Sequence, residues 1–385
     1  MATSNASQVQ AANQQFLLNA LERNYQMVQT TITQAGQVID IELEQVSGYL
    51  YAIDLSCLFN LDVTVATGGA VPTWSSFAPD NLFSNIQVAM GGGPFINCSA
   101  VFFRLRQRIM NPGWNPLIVP STDPAYVGTD VFSFPALQAT VGSTVTNTLR
   151  FGIHIPLQIA YGHIEGHLPG NAPGVKVKLR LTVTNNLYGS NQYASPVVGG
   201  SGVTVQITPS TTAQSWVQPN LKYRSSPAVG GGLPTPTIGS VLNVQEAASA
   251  FVGAGALTPL KFPNPFRHLR LYHIVLDGTG TPNSTGVNAF ELDLSPGIPQ
   301  FNYNTPAGLQ DYFNQVRELY KGNLPAGVFV FDLWSGSDPH NPNGTQTIDG
   351  TVYTTLQTQI GVNSAFQTAG GNIITYDEAL SPVSF

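Results

Sequence analysis

The apolar positions change period twice along this chain. Between residues 13 and 33, Leu18, Leu21, Tyr25, Val28 and Ile32 recur at spacings of three and four, with Leu17 widening the stripe. That period predicts an amphipathic helix. From Gly36 onward the period drops to two. "QVIDIEL", "YLYAIDLSCLFNLDVTV", "NIQVAM", "TLRFGIHIPL", "VKVKLRLTV" and "VTVQIT" alternate apolar and polar residues between Gly, Pro, Asn and Ser clusters, which is the pattern of short strands. "SPVVGGSG" and "SSPAVGGGLPTPTIG" read as loops, and after the second the strand pattern resumes with "SVLNVQ", "FRHLRLYHIVLD", "AFELDL", "GVFVFDLW", "TVYTTLQTQIGV" and "NIITYD".

Two internal helices interrupt the strands. "SAVFFRLRQRIMNPG" offers Ser99 as N-cap and must stop before Pro112. "TPAGLQDYFNQVRELYKG" offers Thr305 as N-cap, Pro306 in the first turn and Gly322 as stop. Its stripe of Leu309, Tyr312, Phe313, Val316, Leu319 and Tyr320 predicts one buried face. In each half, strands lead to a helix, then an apolar strand ("LRFGIHIPL", "GVFVFDLW"), then more strands. The pattern predicts an all-β chain with a few helices: a helical arm over 1–35 and two β-sandwiches of the jelly-roll kind over 36–230 and 231–385.

Composition narrows the function. Only 9% of the 385 residues are charged, against 42% hydrophobic. A monomer of this mass exposes roughly 15,000 Å², so even with all 36 charges outside the surface carries about one per 400 Å². Such a surface is covered by neutral polar groups or by other subunits, because charge depletion marks the core of permanent interfaces. Net charge is −6 with no Lys/Arg block, which argues against direct nucleic-acid binding. Neither a signal-peptide pattern nor an apolar run of membrane-spanning length is visible. Cys57 and Cys98 are too few for a disulfide framework, and free thiols made in a host cytoplasm are expected.

The order of the C-terminal motifs carries a resemblance. "QVRELY" on a helix, "LPAGVFVFD", then "TVYTTLQTQIGV" after a polar loop are similar to the second jelly roll of the double jelly-roll major capsid proteins of the tectivirus and adenovirus lineage. The Gln-rich N-terminal segment, "HIPLQIAYG" and "VKLRLTVTNN" resemble the N-terminal helix and first jelly roll of that family. The resemblance implies two tandem eight-stranded jelly rolls and a homotrimeric, pseudo-hexameric capsomer tiling an icosahedral virion shell around a membrane and genome. It also implies minor capsid or penton proteins as partners, and an N-terminal arm near the inner viral membrane or a neighbouring trimer. Leu18, Leu21, Tyr25, Val28 and Ile32 are then the candidate arm contacts. Arg104, Arg106 and Arg108, the densest basic cluster, are candidates for charge contacts between subunits.

Other chemistries find thinner support. His163, Glu165 and His167 alternate and are the one metal candidate, yet Gly162, Gly166 and Pro169 argue for a loop and no fourth ligand follows. Residues 338–350 depart from the spacing of a calcium loop and lack its terminal Glu. "MGGGPF" lacks the setting of a nucleotide fingerprint, and no nucleophile elbow occurs. No cofactor and no enzymatic reaction are expected. "FRHLRLYH" puts Arg267, Leu269 and Leu271 opposite His268, Arg270 and Tyr272, the pattern of a strand facing an interface. The rival reading is a spike or lectin-like β protein, with Trp74, Trp114 and Trp216 in loop-like surroundings able to stack on sugars.

Overall fold

The structure is a computed structural model. It describes residues 2–45, 47–110, 136–159, 163–170, 176–226, 239–252, 256–265, 267–295, 298–320, 324–333, 348–349, 352–353, 356–363 and 370–382.

A first helix, α1 (Ala2–Asn19), precedes the strands. The principal strands of the first half are β1 (Leu21–Gln26), β2 (Thr30–Ile32), β3 (Val38–Glu42), β4 (Tyr49–Val65), β5 (Phe83–Met90) and β6 (Pro94–Cys98), then β7 (Ser143–Pro156), β8 (Val177–Val183), β9 (Val203–Ile207) and β10 (Ser215–Ser225). Helix α2 (Ala100–Met110) lies between β6 and β7. The second half runs β11 (Ser240–Ala250), β12 (Leu257–Lys261), β13 (Arg267–Leu276), β14 (Val287–Ser295), β15 (Ile298–Asn302), helix α3 (Pro306–Tyr320), β16 (Val328–Asp332), β17 (Gln357–Val362) and β18 (Asn372–Pro382).

The pairings repeat. In the first half β1 and β2 pair with β10, β10 with β4, and β4 with β7. In the second half β11 pairs with β18, β18 with β13, and β13 with β16. The opposing sheets run β3–β8–β5–β6 and β12–β17–β14–β15. Each half is therefore a jelly roll of two sheets with four strand positions each, and in each the helix follows the fifth position, β1 and β2 sharing the first. The duplication read from the sequence is a duplication of topology.

One contact fuses the halves. End strand β6 of the first roll pairs in parallel with end strand β11 of the second, at Val244↔Ile96 and Gln245↔Asn97. This joins one four-stranded sheet from each roll, with the short strand Ile348–Asp349 beside β13, into a nine-stranded sheet. A single hydrophobic cluster runs through both sandwiches, from Ile53, Phe59 and Ile155 to Phe290, Phe331 and Ile360.

The 13–33 helix is corrected by this architecture. The helix ends at Asn19, and residues 21–26 and 30–32 are strands. All six residues of β1 find partners on β10, from Leu21↔Ser225 to Gln26↔Asn220. The segment's period favours a helix, but a ready-made sheet edge satisfies its backbone groups one by one, and tertiary pairing overrides a weak local preference.

Candidate functional site

The two rolls meet along a buried polar seam, built around α2. Ser99 immediately precedes that helix, and its backbone N–H donates to Glu246 Oε2 on β11 at 2.6 Å. A carboxylate from the second roll thus sits at the positive end of a helix from the first, where the helix dipole favours it. Tyr193 donates to Glu246 Oε1 at 2.8 Å, and the Ser99 hydroxyl lies 2.9 Å from Tyr193 Oη and 2.8 Å from Tyr376 Oη. Burial pushes the Glu246 carboxyl above its ordinary pKa, against the donors from Ser99 and Tyr193.

One turn along, Phe102 inserts between Tyr272 and Tyr376, with ring centroids at 5.4 and 5.3 Å. Next, Arg106 donates to Glu378 Oε1 on β18 at 2.8 Å and to the Ile159 carbonyl at 2.8 Å. Glu378 also accepts from Tyr272 at 3.0 Å and lies 3.7 Å from Arg270 Nη1. Arg270 in turn donates to Asp332 on β16 at 3.2 Å, and Tyr320 of α3 donates to the same oxygen at 3.1 Å. Two cations alternate with two anions, so the chain is neutral as a whole. Burial opposes charge on Glu378, but Arg106 and Arg270 outweigh it and hold its carboxyl below the usual range.

The arrangement places Arg106, Arg270 and Glu378 in the interior. Its consequence is mechanical. Each ion depends on a partner from another element, so removing one strands another in a dry interior. The seam locks α2, β11, β13, β16 and β18 into one body.

Several sequence candidates find partners inside the chain. Arg104 makes a bidentate pair with Asp80, at 2.8 and 3.1 Å, and Arg106 is the seam cation just described. Within the chain, each pairs with an acid buried beside it. The side chain of Arg108 lies outside the described residues. "FRHLRLYH" is not an interface-facing strand. It forms β13, inside the nine-stranded sheet, with a register shift between His268 and Arg270 that breaks the alternation. His268 donates or accepts at Asp377 Oδ1 at 2.8 Å, and Arg270 belongs to the seam.

Of the arm residues, Leu18 (84% exposed), Leu21, Tyr25 and Val28 (86%) face outward, whereas Ile32 is in the core of the first roll. Helix α1 is anchored by Phe16, which packs edge-on against Tyr49 at 5.2 Å.

His163 Nδ1 lies 3.6 Å from Glu165, but His167 is buried on its own, its Nε2 accepting from Arg224 at 3.3 Å. Burial first, and Arg224 second, lower the His167 pKa to about 3. A guanidinium against the imidazole nitrogen is the opposite of a cation site. Among the described residues no group of three His, Cys, Asp or Glu side chains is placed to hold a metal. Trp74 and Trp216 lie in strands paired with Val197 and Leu58, while Trp114 and most of loop 338–350 are outside the described residues. Cys57 and Cys98 are buried free thiols.

Sequence reasoning missed Tyr193, Glu246, Tyr376 and Glu378. The available signal was ionisable residues inside otherwise apolar strands, as in "NIITYDEAL". Such residues are kept only where a partner meets them.

No protein-family profile matches the chain, and no curated protein matches it in sequence. Solved structures do. The major capsid protein of the Sulfolobus turreted icosahedral virus superposes with a TM-score of 0.62 at 14% identity, over 94% of this chain and 96% of that one. The Faustovirus major capsid protein gives 0.57 at 9% identity, over 94% and 90%. Major capsid protein P2 of bacteriophage PM2 gives 0.51 at 10% identity, over 94% and 98%. At these identities the likeness is one of architecture: the chain has the double jelly-roll fold of these viral coat proteins.

Proposed function

We propose that the chain is a major capsid protein, which forms homotrimers of six jelly rolls that tile an icosahedral virion shell. The observation that carries this is a satisfied contact within the chain whose counterparts stand open. Inside the chain, end strand β6 and helix α2 of the first roll dock on β11 and the outer face of the second roll's sheet. By the repeat in topology, β15 and α3 of the second roll are the counterparts of β6 and α2, and β1 with the β10–β4–β7 face is the counterpart of the docking surface. β15 and β1 both end their sheets among the described residues.

The two open surfaces have matching character. α3 buries Leu309, Tyr312, Val316 and Tyr320 on its own roll and leaves Gln310, Asp311, Asn314 and Glu318 exposed. On the outer face of the first roll, Trp216, Leu58 and Arg150 form one cross-strand row, beside a cluster in which Asp54 meets His154 at 2.5 Å and Lys222 at 2.6 Å. Tryptophan and arginine anchors dominate the energetics of interfaces, and the exposed side of α3 offers Asp311 and Glu318, with Arg317 beside them, for Arg150 to meet. A heterologous contact of this kind closes into a ring when its rotation permits. Three copies of two rolls give six.

The reading extends to the arm and to other partners. α1 contains no charged residue. A helix of this length and composition is marginal alone in water. With Leu18, Leu21, Tyr25 and Val28 it is proposed to rest on a neighbouring capsomer or at an inner membrane, while Ile32 stays in its own core. Minor vertex proteins would complete the shell, and no direct contact with the genome is required. The first roll is proposed to begin at Leu21, with the division between rolls in residues 227–238.

Light scattering coupled to size exclusion tests this. A species of about 123 kDa, three times 41.0 kDa, is expected, and conversion to monomer when Arg150→Glu and Trp216→Ala are combined. A monomeric wild type overturns the proposal. A trimer indifferent to those substitutions overturns only the interface assigned to it.

A further inference from the structure

The other sheet of the first roll carries a patch of charge on its outer face, sorted by strand. Its cross-strand rows are Glu42–Lys178–Ala89, Asp40–Arg180–Gln87 and Val38–Thr182–Asn85, running from β3 through β8 to β5. The acids Asp40 and Glu42 stand on β3, and Lys178 and Arg180 on β8, with Lys176 next to its start. We propose that this face is a contact between two copies of the chain, related by a two-fold axis that runs along the strands between β3 and β8.

The charges are displayed to solvent. Arg180 donates to both carboxylate oxygens of Asp40, at 2.6 and 3.2 Å, and Lys176 pairs with Glu42. All four of these side chains are half exposed or more. Lys178 is exposed as well, faces Glu42 across the strands, and makes no ion pair among the described residues. Exposed ion pairs add little to the stability of a fold. Yet a chain with only 36 charged residues in 385 gathers five of them here. Strand β3 ends its sheet among the described residues, and Val38 on it is exposed. The Arg180 hydrogen bond, helped by the charges of Arg180 and Lys178, holds the Asp40 carboxyl below its ordinary pKa, so it is ionised at neutral pH.

Rotation about the axis exchanges the two strands without changing level along them. The second copy's β3 then lies over β8, its Glu42 opposing Lys178, its Asp40 opposing Arg180 and its Val38 opposing Thr182. Each of these two acids meets a cation, and the cation without an ion pair of its own gains one. An isologous contact uses the same patch on both copies in this way. Complementary charge sets its register and disfavours other partners. The contact involves neither α3 nor the β10–β4–β7 face, so it is separate from the one proposed within the capsomer and is free to join one capsomer to the next.

The experiment is analytical ultracentrifugation of the full chain at about 50 mM and about 500 mM salt, because the higher value screens exposed charges. The unit that persists at high salt is expected to associate further at low salt, at least about tenfold more tightly. Lys176→Glu, Lys178→Glu and Arg180→Glu together make both rows acidic, and Asp40→Lys with Glu42→Lys makes both basic. Each variant alone is expected to stop at the unit, and an equimolar mixture of the two is expected to associate again. All five substitutions in one chain exchange the rows, keep opposite signs at each level, and are expected to associate as the wild type does. Recovery in the mixture requires folded chains, so misfolding cannot imitate it. A wild type that gains no mass at low salt, single-sign variants that associate as the wild type does, or a mixture that does not recover overturns the proposal. The mass of the unit at high salt reads the capsomer separately, so failure of one reading does not carry over to the other.

Discussion

The Tyr312 hydroxyl donates to the carbonyl oxygen of Val330 at 3.0 Å and accepts from the N–H of the same residue at 2.7 Å. One side chain of α3 thereby satisfies both backbone groups at the end strand of the nine-stranded sheet. Open strand edges invite pairing with other chains, and native proteins cover them. Here the cover is a single phenol. Tyr312→Phe keeps the ring packed against Phe290 and Phe329, at 5.1 and 6.0 Å, and removes only the two hydrogen bonds. The variant is expected to lose about 1–3 kcal/mol, read as a fall in Tm by calorimetry and as faster amide exchange at Val330. Unchanged exchange at that amide would mean the hydroxyl does not close the edge.

Along the seam, Arg106→Met keeps much of the side chain's volume but takes one of two cations from Glu378. Breaking one partner of a buried pair is destabilising by about 3–5 kcal/mol. Adding Glu378→Gln to Arg106→Met should recover part of the loss, because the stranded charge is then gone. The double mutant is expected to be more stable than the sum of the single effects. Strict additivity in thermal unfolding would show that the two side chains do not act together.

His273 sits between Thr375 Oγ1 at 3.0 Å and Thr358 Oγ1 at 3.2 Å, linking the two sheets of the second roll across the core. Burial lowers its pKa from 6.5 to about 3, so it is neutral in the fold. The unfolded chain takes up a proton as pH falls through about 6.5. The contribution of His273 is therefore complete above that pH and is lost progressively towards pH 3, by at most about 1.4 kcal/mol per pH unit. Carboxyls with raised pKa values, including Glu246, Asp80 and Asp377, act in the opposite sense. The wild-type slope alone does not isolate the histidine. His273→Gln retains groups able to bond both threonines, and its stability should fall less steeply than the wild type's between pH 6.5 and 3. Parallel curves for the two proteins would remove His273 from the acid response.

The two internal helices and most strand runs that local sequence specifies are where it predicts them. Thr305 caps α3 through its Oγ1, which accepts from the Gly308 N–H at 3.0 Å, and the stripe from Leu309 to Tyr320 faces the core. What local pattern misses is decided by partners far away in the chain. β1 becomes a strand because of residues 220–225, and Arg106 is neutralised by an acid 272 positions later. The alternation of His163, Glu165 and His167 makes no ligand set, for the local reason that Gly166 signals in the sequence. Gly166 has φ +90, and a Cβ there would lie 1.9 Å from the Leu157 carbonyl oxygen, so the chain turns sharply instead of continuing as a strand. The turn sends His167 inward to Arg224 and leaves His163 outside.

The boundary between arm and roll has a sharp experimental consequence. Taken as one helix, residues 1–33 would be a removable arm. In the structure only residues 1–19 fit that description. Cutting after Asn19 removes α1 with its buried anchor, Phe16, and no strand of either roll. A cut after Thr33 also removes β1 and β2, takes Ile32 from the core, and strips Glu22 from Arg224, a guanidinium only 4% exposed whose Nη2 lies 3.2 Å from that carboxylate. Arg224 would keep Tyr51, Gln158 and His167 beside it but lose that carboxylate. Deletion of 1–19 is expected to yield folded trimers that assemble shells poorly. Deletion of 1–33 is expected to yield little soluble protein, with Tm lowered by several degrees in what is recovered, as loss of a buried charge's partner implies. Equal yield and Tm for the two truncations would show that β1 and β2 are not part of the first roll's sheet, and normal shell yield from the shorter truncation would show that the arm has no part in assembly.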